Sequence, residues 1–376
     1  MRRALEPERE RLHDTFAGLC RLESPSGHER PCADRILAEL AQIGLQADED
    51  GAAELVGADA GNVFARIGGR GEKSILLCAH MDTVPPTAPI EPIIIDGGWH
   101  NANPGILGAD NKAAVAVLLV LARRLAAQRP EVGVELLFTI SEENGLHGAK
   151  AFDKSRLQSS FGYAFDHASP IGGIVVASPS YMKITADVRG RAAHAGIRPE
   201  DGRSAITPAA RAIAAIPQGR LDPETTANVG TITGGTATNV VAERCRVEAE
   251  VRGHADERVD ATVTEMVDAF QDAVDAAECD LDITVERMFS RYRTKPGEPG
   301  VVLAERALSA CGYQPRALTT GGGSDANAFQ VEGFPCINLA NGTERNHEPD
   351  ERVSVDALEG MLEVAIALVE EASGVV

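Results

Sequence analysis

The sequence predicts an α/β domain that is interrupted by an inserted α+β domain. Up to residue 177, helical patterns alternate with continuously apolar strand patterns, which is typical of a buried, mostly parallel or mixed sheet between helices. From about Tyr181, half-exposed strands alternate with two helices, and the α/β pattern returns after Arg291. The sequence therefore assigns 1–177 and 292–376 to the α/β domain and 178–291 to the insertion.

The elements of the α/β domain follow from hydrophobic periodicity. Helical spacing is present in ERERLHDTFAGLCRL and in HERPCADRILAELAQIG, which Gly44 closes. Apolar runs predict strands in GNVFARI, SILLCAHMDTV and VGVELLFTI, and a long helix in DNKAAVAVLLVLARRLAA precedes the last of them. After the insertion, the same reasoning predicts the helix GVVLAERALSACG, the strand PCINLA and the helix VDALEGMLEVAIALVEEA.

The insertion has a different pattern. Strands are predicted in YMKITADVRGRAAHA and DLDITVERMF, and two more flank a glycine-rich turn in NVGTITGGTATNVVAERCRVEAEVRGH. Helices are predicted in SAITPAARAIAAI and VDATVTEMVDAFQDAVDAA. This order predicts a small sheet covered by two helices.

Composition restricts the function and the location. The 376 residues suffice for two cores. With 56 acidic and 36 basic residues the formal charge is −20, which argues against nucleic acid or an anionic membrane as a partner. No segment approaches the ~18 apolar residues of a membrane span, and the N-terminus has no apolar signal region. Seven scattered cysteines without a C-x-x-C pair predict reduced thiols and a cytoplasmic protein.

Residues of the kind that bind metals follow several predicted strands. His80 and Asp82 are two apart, on the same side of an extended segment, and Asp110 begins the long helix. The remaining candidates are Glu142, Glu143, Asp166 and His347. Taken singly, each has an ordinary explanation: Asp110 could cap its helix, and the adjacent glutamates could form an exposed acidic turn.

Together these residues point to metal chemistry. Two imidazoles and three or four carboxylates suit a pair of divalent cations, one carboxylate bridging both. Adjacent like charges beside a buried strand also imply a positive partner. One glutamate of the pair Glu142 and Glu143 can bind a cation while the other acts as a general base on water.

The ordered motifs H-x-D, G-A-D-N-K, E-E-x-G-x-x-G-A, F-D and N-H-x-P-D-E resemble the M20 family of dinuclear zinc peptidases, most closely the peptidase T-like tripeptidases, over the whole chain. The resemblance implies a zinc-exopeptidase-like α/β/α catalytic domain with an inserted lid domain. It implies that one Zn²⁺ is held by His80, Asp110 and Asp166, and the other by Asp110, Glu143 and His347. Co²⁺ or Mn²⁺ also suits such ligands.

The resemblance also implies catalytic roles. Glu142 would be the general base, and Asp82 would hydrogen bond to the second imidazole nitrogen of His80 and so fix its tautomer. A cis peptide bond is expected between Asp110 and Asn111, where many relatives carry aspartate at the second position. The loop with Trp99 and His100 departs from the relatives.

Substrate-binding residues are implied in and near the insertion. His194, in AAHAG, resembles the family histidine that stabilises the oxyanion. Asn239 and Arg252 match positions that hold a terminal carboxylate, for which the planar guanidinium is suited. The glycines of the TTGGGSD segment would bring backbone N–H groups close to the ligand; they are Gly321, Gly322 and Gly323. Each assignment has an alternative. His194 could be a polar residue in an exposed strand, Arg252 could form a surface ion pair, and the glycines could form a plain turn.

The resulting hypothesis is an aminopeptidase that releases the N-terminal residue from short peptides, chiefly tripeptides, and that can dimerise through the lid. The alternative with the same metals is an N-acyl amino acid amidohydrolase or a carboxypeptidase. A non-catalytic peptide-binding relative is the third reading, and the presence of Glu142 and of every metal ligand argues against it.

Overall fold

The computed structural model describes residues 3–374 and confirms the predicted fold class. The described residues form two compact units. The first unit contains the residues up to Val176, Arg293–Thr319 and the residues from Ser324 onward. The second unit contains Ala177–Tyr292 and Thr320–Gly323.

The α-helices of residues 3–374 are α1 (Glu6–Cys20), α2 (Arg30–Gln42), α3 (Ala52–Val56), α4 (Ala109–Ala127), α5 (His147–Ala151), α6 (Ile206–Ala215), α7 (Asp256–Asp275), α8 (Pro299–Ala310), α9 (Asp325–Val331) and α10 (Val355–Ala372). Short 3-10 helices span Lys154–Arg156 and Pro199–Asp201.

The strands of the same residues are β1 (Ala47–Glu49), β2 (Val63–Ile67), β3 (Ser74–His80), β4 (Pro92–Ile95), β5 (Gly98–Asn101), β6 (Gly133–Thr139), β7 (Gly162–His167), β8 (Gly173–Ser178), β9 (Ser180–Arg189), β10 (Gly219–Asp222), β11 (Thr225–Gly234), β12 (Arg244–Gly253), β13 (Asp280–Phe289), β14 (Tyr292–Arg293), β15 (Arg316–Thr319), β16 (Cys336–Ala340), β17 (Thr343–Glu344) and β18 (Arg352–Ser354).

The first unit is built on a mixed sheet with the strand order β1-β2-β6-β3-β7-β16-β8-β14, and β15 also pairs with β8. The central strands β6, β3, β7 and β16 are parallel to one another. Every residue of β3 and β6 is buried, as the continuous apolar runs predict for a sheet covered on both faces.

The packing of helix α4 explains why its sequence is apolar on every side. It contacts the sheet at β3 and packs against α1 and α10 on its other sides. A helix surrounded in this way has no solvent-facing stripe. Full burial of one Val or Leu side chain contributes about 1.5–3 kcal/mol, so α4 is a main source of core stability in the first unit.

The second unit is a five-stranded antiparallel sheet with the order β10-β11-β12-β9-β13. Residues of β9 alternate between buried and half-buried, as the period-2 pattern predicts. Helices α6 and α7 contact each other and cover one face, where Phe270 and Met266 are buried. This is the predicted small sheet with two helices.

Thr320–Gly323 group with the second unit, although the division drawn from the sequence places them in the α/β domain. The Thr320 N–H donates to the Ala177 carbonyl at 3.0 Å, and the Ser178 hydroxyl donates to the Gly322 carbonyl at 2.9 Å. The order of residues in the chain could not predict that these four residues belong to the second unit, because their hydrogen bonds join residues far apart in sequence.

A four-stranded sheet with the order β17-β18-β5-β4 was not predicted. Its hairpin β4-β5 contains Trp99, which is buried against Phe16 at a ring-centroid distance of 5.7 Å. The Trp99 indole N–H donates to Nδ1 of His13 at 3.1 Å. Trp99 therefore has a structural role in the first unit.

All seven cysteines are free thiols, as the sequence predicts. None of the helices within residues 3–374 combines the length and the apolar character that crossing a bilayer requires.

Candidate active site

Neighbouring parallel strands of the first unit carry the candidate residues at or just beyond their carboxyl ends. Strand β3 ends at His80, β7 contains Asp166 near its end, and Glu142 follows β6. His347 lies in the loop between β17 and β18, which comes after β16. Because the carboxyl ends of parallel strands meet at one edge of a sheet, these residues converge.

The first cluster comprises His80, Asp110 and Asp166. Nε2 of His80 lies 3.3 Å from Oδ1 of Asp110 and 3.3 Å from Oδ1 of Asp166. One ligand-type atom from each of the three residues lies within 4.8 Å of the others. His80 is only 2% exposed, so the imidazole meets both carboxylates inside the protein.

The second cluster shares Asp110 with the first. Nε2 of His347 lies 2.9 Å from Oε1 of Glu143 and 3.4 Å from Oδ2 of Asp110. Asp110 therefore turns Oδ1 towards His80 and Oδ2 towards His347, as a carboxylate that bridges two cations does. The peptide bond between Asp110 and Asn111 is cis, as the resemblance predicts.

The surroundings of a buried oxygen of Asp110 indicate whether cations fit this site. Its Oδ1 accepts no hydrogen bond from any residue between positions 3 and 374. A buried polar atom without a partner costs about 1–3 kcal/mol, and a cation would satisfy it. Two imidazoles and three carboxylates are ligands that suit Zn²⁺, Co²⁺ and Mn²⁺. The residues fit two divalent cations that share Asp110.

The clustered groups have shifted pKa values. Burial raises the pKa of Asp166 to about 8, and burial also raises the pKa values of Glu142 and Glu143. Hydrogen bonds to the carboxylates of Asp110 and Glu143 raise the pKa of His347 to about 10. In the absence of cations Asp166 and His347 therefore hold protons at neutral pH, and cations would displace those protons.

We expect the affinity for divalent cations to increase with pH. Ligands bind only in their deprotonated forms, so Asp166 must lose a proton at any pH below its pKa of about 8. Affinity then rises about tenfold per pH unit for each proton released. Calorimetric titration of the metal-free protein with Co²⁺ from pH 6 to 8, in buffers of different ionisation enthalpy, measures both quantities. A constant affinity without proton release would contradict the expectation.

Asp82 connects the first histidine to the glutamate pair. Its Oδ1 accepts the Glu142 N–H at 3.0 Å and its Oδ2 accepts the Glu143 N–H at 3.2 Å. Nδ1 of His80 lies 3.0 Å from the Asp82 carbonyl and 3.3 Å from Oδ1. The imidazole thus lies closer to the Asp82 backbone than to the predicted side chain. Both contacts favour a proton on Nδ1, while Nε2 faces Asp110 and Asp166.

Sequence reasoning missed Glu29, which braces the turn before the glutamate pair. Its Oε1 accepts the backbone N–H of Ser141 at 3.0 Å and the Ser141 hydroxyl at 3.1 Å. Ser141 has a positive φ of 51°, so the turn needs such support. The lone glutamate at the start of an amphipathic helix gives no signal of this role.

Asp325 and Glu351 were also missed, although both lie in segments that carry the family resemblance. Asp325 begins α9 and is 2% exposed; its Oδ2 accepts the Thr139 hydroxyl at 2.5 Å, and burial raises its pKa to about 6. Glu351 accepts backbone N–H groups just before the bridging aspartate, including that of Asp110 itself at 2.8 Å. The resemblance of the segments GGGSDANAF and N-H-x-P-D-E to the family could have identified Asp325 and Glu351 as site residues.

In the second unit, His194 and Asn239 are neighbours. His194 forms an isolated antiparallel bridge with Val240, and the Ala195 N–H donates to the Asn239 carbonyl at 2.9 Å. Nδ1 of His194 accepts the Gly196 N–H at 3.2 Å. That bond favours the tautomer with a proton on Nε2, so the exposed imidazole presents an N–H donor.

Arg252 is held in a fixed orientation within the second unit. Its Nε and Nη2 donate to the two carboxylate oxygens of Glu250 at 3.1 and 3.0 Å. The guanidinium carbon lies 4.3 Å from the centre of the Tyr181 ring, which is directly opposite on β9. Nη1 lies 3.5 Å from the Gly321 carbonyl oxygen, at the long limit of a hydrogen bond.

The three consecutive glycines differ in their surroundings. A Cβ on Gly321 would meet no atom within 4 Å, whereas a Cβ on Gly323 would lie 2.4 Å from the Phe289 ring. Gly323 is therefore required by packing. The Gly322 N–H already donates to the Thr320 hydroxyl at 3.1 Å. A role of the loop in ligand binding stays a prediction.

Solved structures that are similar to this chain include an aminopeptidase and a tripeptidase. The aminopeptidase PepT from Bacillus cereus is 37% identical, with a TM-score of 0.82 over 96% of this chain and 98% of that one. A tripeptidase from Staphylococcus aureus is 32% identical, with a TM-score of 0.88 over 97% of this chain and 99% of that one.

Sequence comparisons give consistent matches. The uncharacterized protein YqjE of Bacillus subtilis is 36% identical over 96% of this chain and 98% of its own length. A probable carboxypeptidase of Ajellomyces dermatitidis is 30% identical over 73% of this chain and 67% of its own. Residues 176–278 match the peptidase dimerisation domain of the M20 type, and residues 62–173 match peptidase family M28.

Proposed function

Since the chain belongs to the M20 family of metallopeptidases, we propose that it is a dinuclear zinc aminopeptidase that releases the N-terminal residue of tripeptides. The observation that carries the proposal is the pair of ligand clusters that share Asp110, with the Glu142 carboxylate grouped beside His80 and Glu143. The names of the two similar solved structures, an aminopeptidase and a tripeptidase, support this choice of substrate.

The ligands divide between two cations. His80, Asp110 and Asp166 would hold one Zn²⁺, and Asp110, Glu143 and His347 would hold the other. Such ions, when bound, polarise the scissile carbonyl and lower the pKa of water from 15.7 to about 7. Zn²⁺ is proposed over Co²⁺ and Mn²⁺ because the sequence motifs resemble those of dinuclear zinc peptidases; three ligands for each ion leave a position open for water.

Glu142 acts as the general base in this proposal. It takes a proton from the attacking water and passes it to the leaving amine. Its backbone N–H is fixed by Asp82, and its carboxylate lies beside His80 and Glu143. Burial, followed by the neighbouring Asp166, raises the pKa of Glu142, which makes its protonated form a competent acid for the second half of the reaction.

Residues of the second unit bind the substrate in this proposal. The Nε2–H group of His194 stabilises the oxyanion, since a donor there gains strength only as negative charge develops. Arg252 and Asn239 hold the C-terminal carboxylate of the peptide. Such a carboxylate clamp would make the enzyme measure chain length.

The test of this proposal is hydrolysis of matched di-, tri- and tetrapeptides with free or amidated C-termini and free or acetylated N-termini. We expect the free tripeptide to be the best substrate. We expect Arg252→Lys to raise KM for the free tripeptide at least tenfold and to leave the slow hydrolysis of its amide unchanged, because lysine cannot form the bidentate contact. Arg258→Lys, at an exposed position of helix α7 in the same unit, is the matched control.

Other outcomes would redirect the proposal. If the acetylated peptides are the better substrates, the same metals serve an N-acyl amino acid amidohydrolase or a carboxypeptidase. Of these two, the name of the Ajellomyces dermatitidis relative favours the carboxypeptidase. If Arg252→Lys changes the KM values of free and amidated peptides equally, Arg252 does not bind the C-terminal carboxylate, although the protein can still be an aminopeptidase.

The proposed assembly is a homodimer formed through the second unit. The match of residues 176–278 to a peptidase dimerisation domain supports it. Light scattering coupled to size-exclusion chromatography gives the mass directly, against 39.7 kDa for one chain.

A further inference from the structure

We propose that Glu351 is a positioning residue that aims the bridging Asp110 and thereby determines how tightly the second cation binds. This inference rests on the proposed dinuclear centre. It assigns a role to a carboxylate that is not itself a cation ligand, and it depends on contacts within the first unit.

The Glu351 carboxylate gathers three backbone donors. Its Oε2 accepts the N–H groups of Leu107 and Gly108, each at 2.8 Å, and its Oε1 accepts the N–H of Asp110 at 2.8 Å. Glu351 is 2% exposed, so these hydrogen bonds form away from water. The segment that leads into the bridging aspartate is therefore organised around one side chain.

The loop that carries Glu351 contacts Asp110 at further points. Nδ2 of Asn346 donates to Oδ2 of Asp110 at 2.8 Å, and Nε2 of His347 lies 3.4 Å from the same oxygen. One loop thus fixes the backbone of Asp110 through Glu351 and the orientation of its carboxylate through Asn346. His347, a proposed ligand of the second cation, lies between these two contacts.

Glu351 is itself held in place by the four-stranded sheet. Strand β18 begins at the next residue, Arg352, which pairs with His100. Val353 pairs with Trp99, whose side chain is anchored against Phe16 and His13. The hairpin β4-β5 therefore supports the residue that positions Asp110.

Geometry explains why this support matters for two cations. Asp110 can bridge only while Oδ1 faces His80 and Oδ2 faces His347. A glutamine at position 351 would present an amide N–H₂ group to at least one of the three backbone N–H groups, and two donors cannot bond to each other. The segment from Leu107 to Asp110 would shift, and one of the two carboxylate oxygens of Asp110 would no longer face its histidine.

The test compares Glu351→Gln with Glu348→Gln, an exposed glutamate of the same loop that pairs with Arg345. Metal-free proteins are titrated with Co²⁺, followed by calorimetry and by visible absorption. We expect wild type and Glu348→Gln to bind two equivalents with the same spectrum. We expect Glu351→Gln to bind the second equivalent at least tenfold more weakly, with an altered spectrum and unchanged circular dichroism.

Two equivalents bound by Glu351→Gln with wild-type affinity and spectrum would overturn the inference. If that variant is unfolded, Glu351→Asp decides in the same way, because it keeps the charge but withdraws the carboxylate from the three donors. A wild-type protein that binds fewer than two Co²⁺ would instead refute the dinuclear centre, so the two failures are distinguishable.

Discussion

Replacing Glu142 with alanine is expected to lower kcat for the best peptide substrate by about 10³-fold while both cations stay bound. Loss of a general base typically costs 10²- to 10⁴-fold in rate, and Glu142 is not among the five proposed ligands. KM should change little. Steady-state kinetics with zinc-supplemented enzyme, together with metal analysis of the dialysed protein, measures both effects.

Glu142→Gln is the matched variant, because it keeps the size and the hydrogen-bonding shape but cannot take up a proton at neutral pH. It should be as inactive as the alanine variant. Activity within tenfold of wild type in either variant would mean that another group accepts the proton. Loss of one cation would mean that Glu142 is a ligand.

Replacing Asp110 with alanine is expected to abolish activity and to weaken the binding of both cations by more than about 100-fold. Removal of a residue that only supports a ligand already costs about 10- to 100-fold in affinity, and Asp110 contributes an oxygen to each cluster. Inductively coupled plasma analysis after dialysis against a metal buffer of fixed free Zn²⁺ gives the occupancy.

Asp166→Ala is the control for this effect, because Asp166 faces only the first cluster. That variant should lose one cation and retain the one held by Glu143 and His347. If Asp110→Ala retains two cations, or if Asp166→Ala loses both, Asp110 is not the bridge.

Local patterns predicted much of the fold and the site. The apolar run that ends at His80 and the buried helix after Asp110 are read from neighbouring residues, and the structure has a strand and a helix there. The convergence of His80 and Asp166 follows from the parallel order of the strands. The resemblance then supplied the ligand set, which the structure brings together.

Other features depend on contacts that no local pattern reports. Glu351 meets Leu107 and Asp110 across more than half of the chain, and nothing in either segment alone indicates a partner. The aromatic ring of Phe289 requires Gly323 in the same way. Buried side chains that bond to backbone groups support the site without altering the periodicity of their own segments, so periodicity could not reveal them.

Strand β16 lies between β7 and β8 in the sheet of the first unit, although β8 is adjacent to β7 in the chain. During synthesis, therefore, the whole of the second unit leaves the ribosome before the sheet of the first unit can be completed, and His347 follows later still. A nascent or prematurely terminated chain would lack a proposed ligand of the second cation. The topology thus places the strand that completes the sheet, and the proposed ligand His347, after the second unit in the chain, so peptidase activity has to wait until that unit has been synthesised.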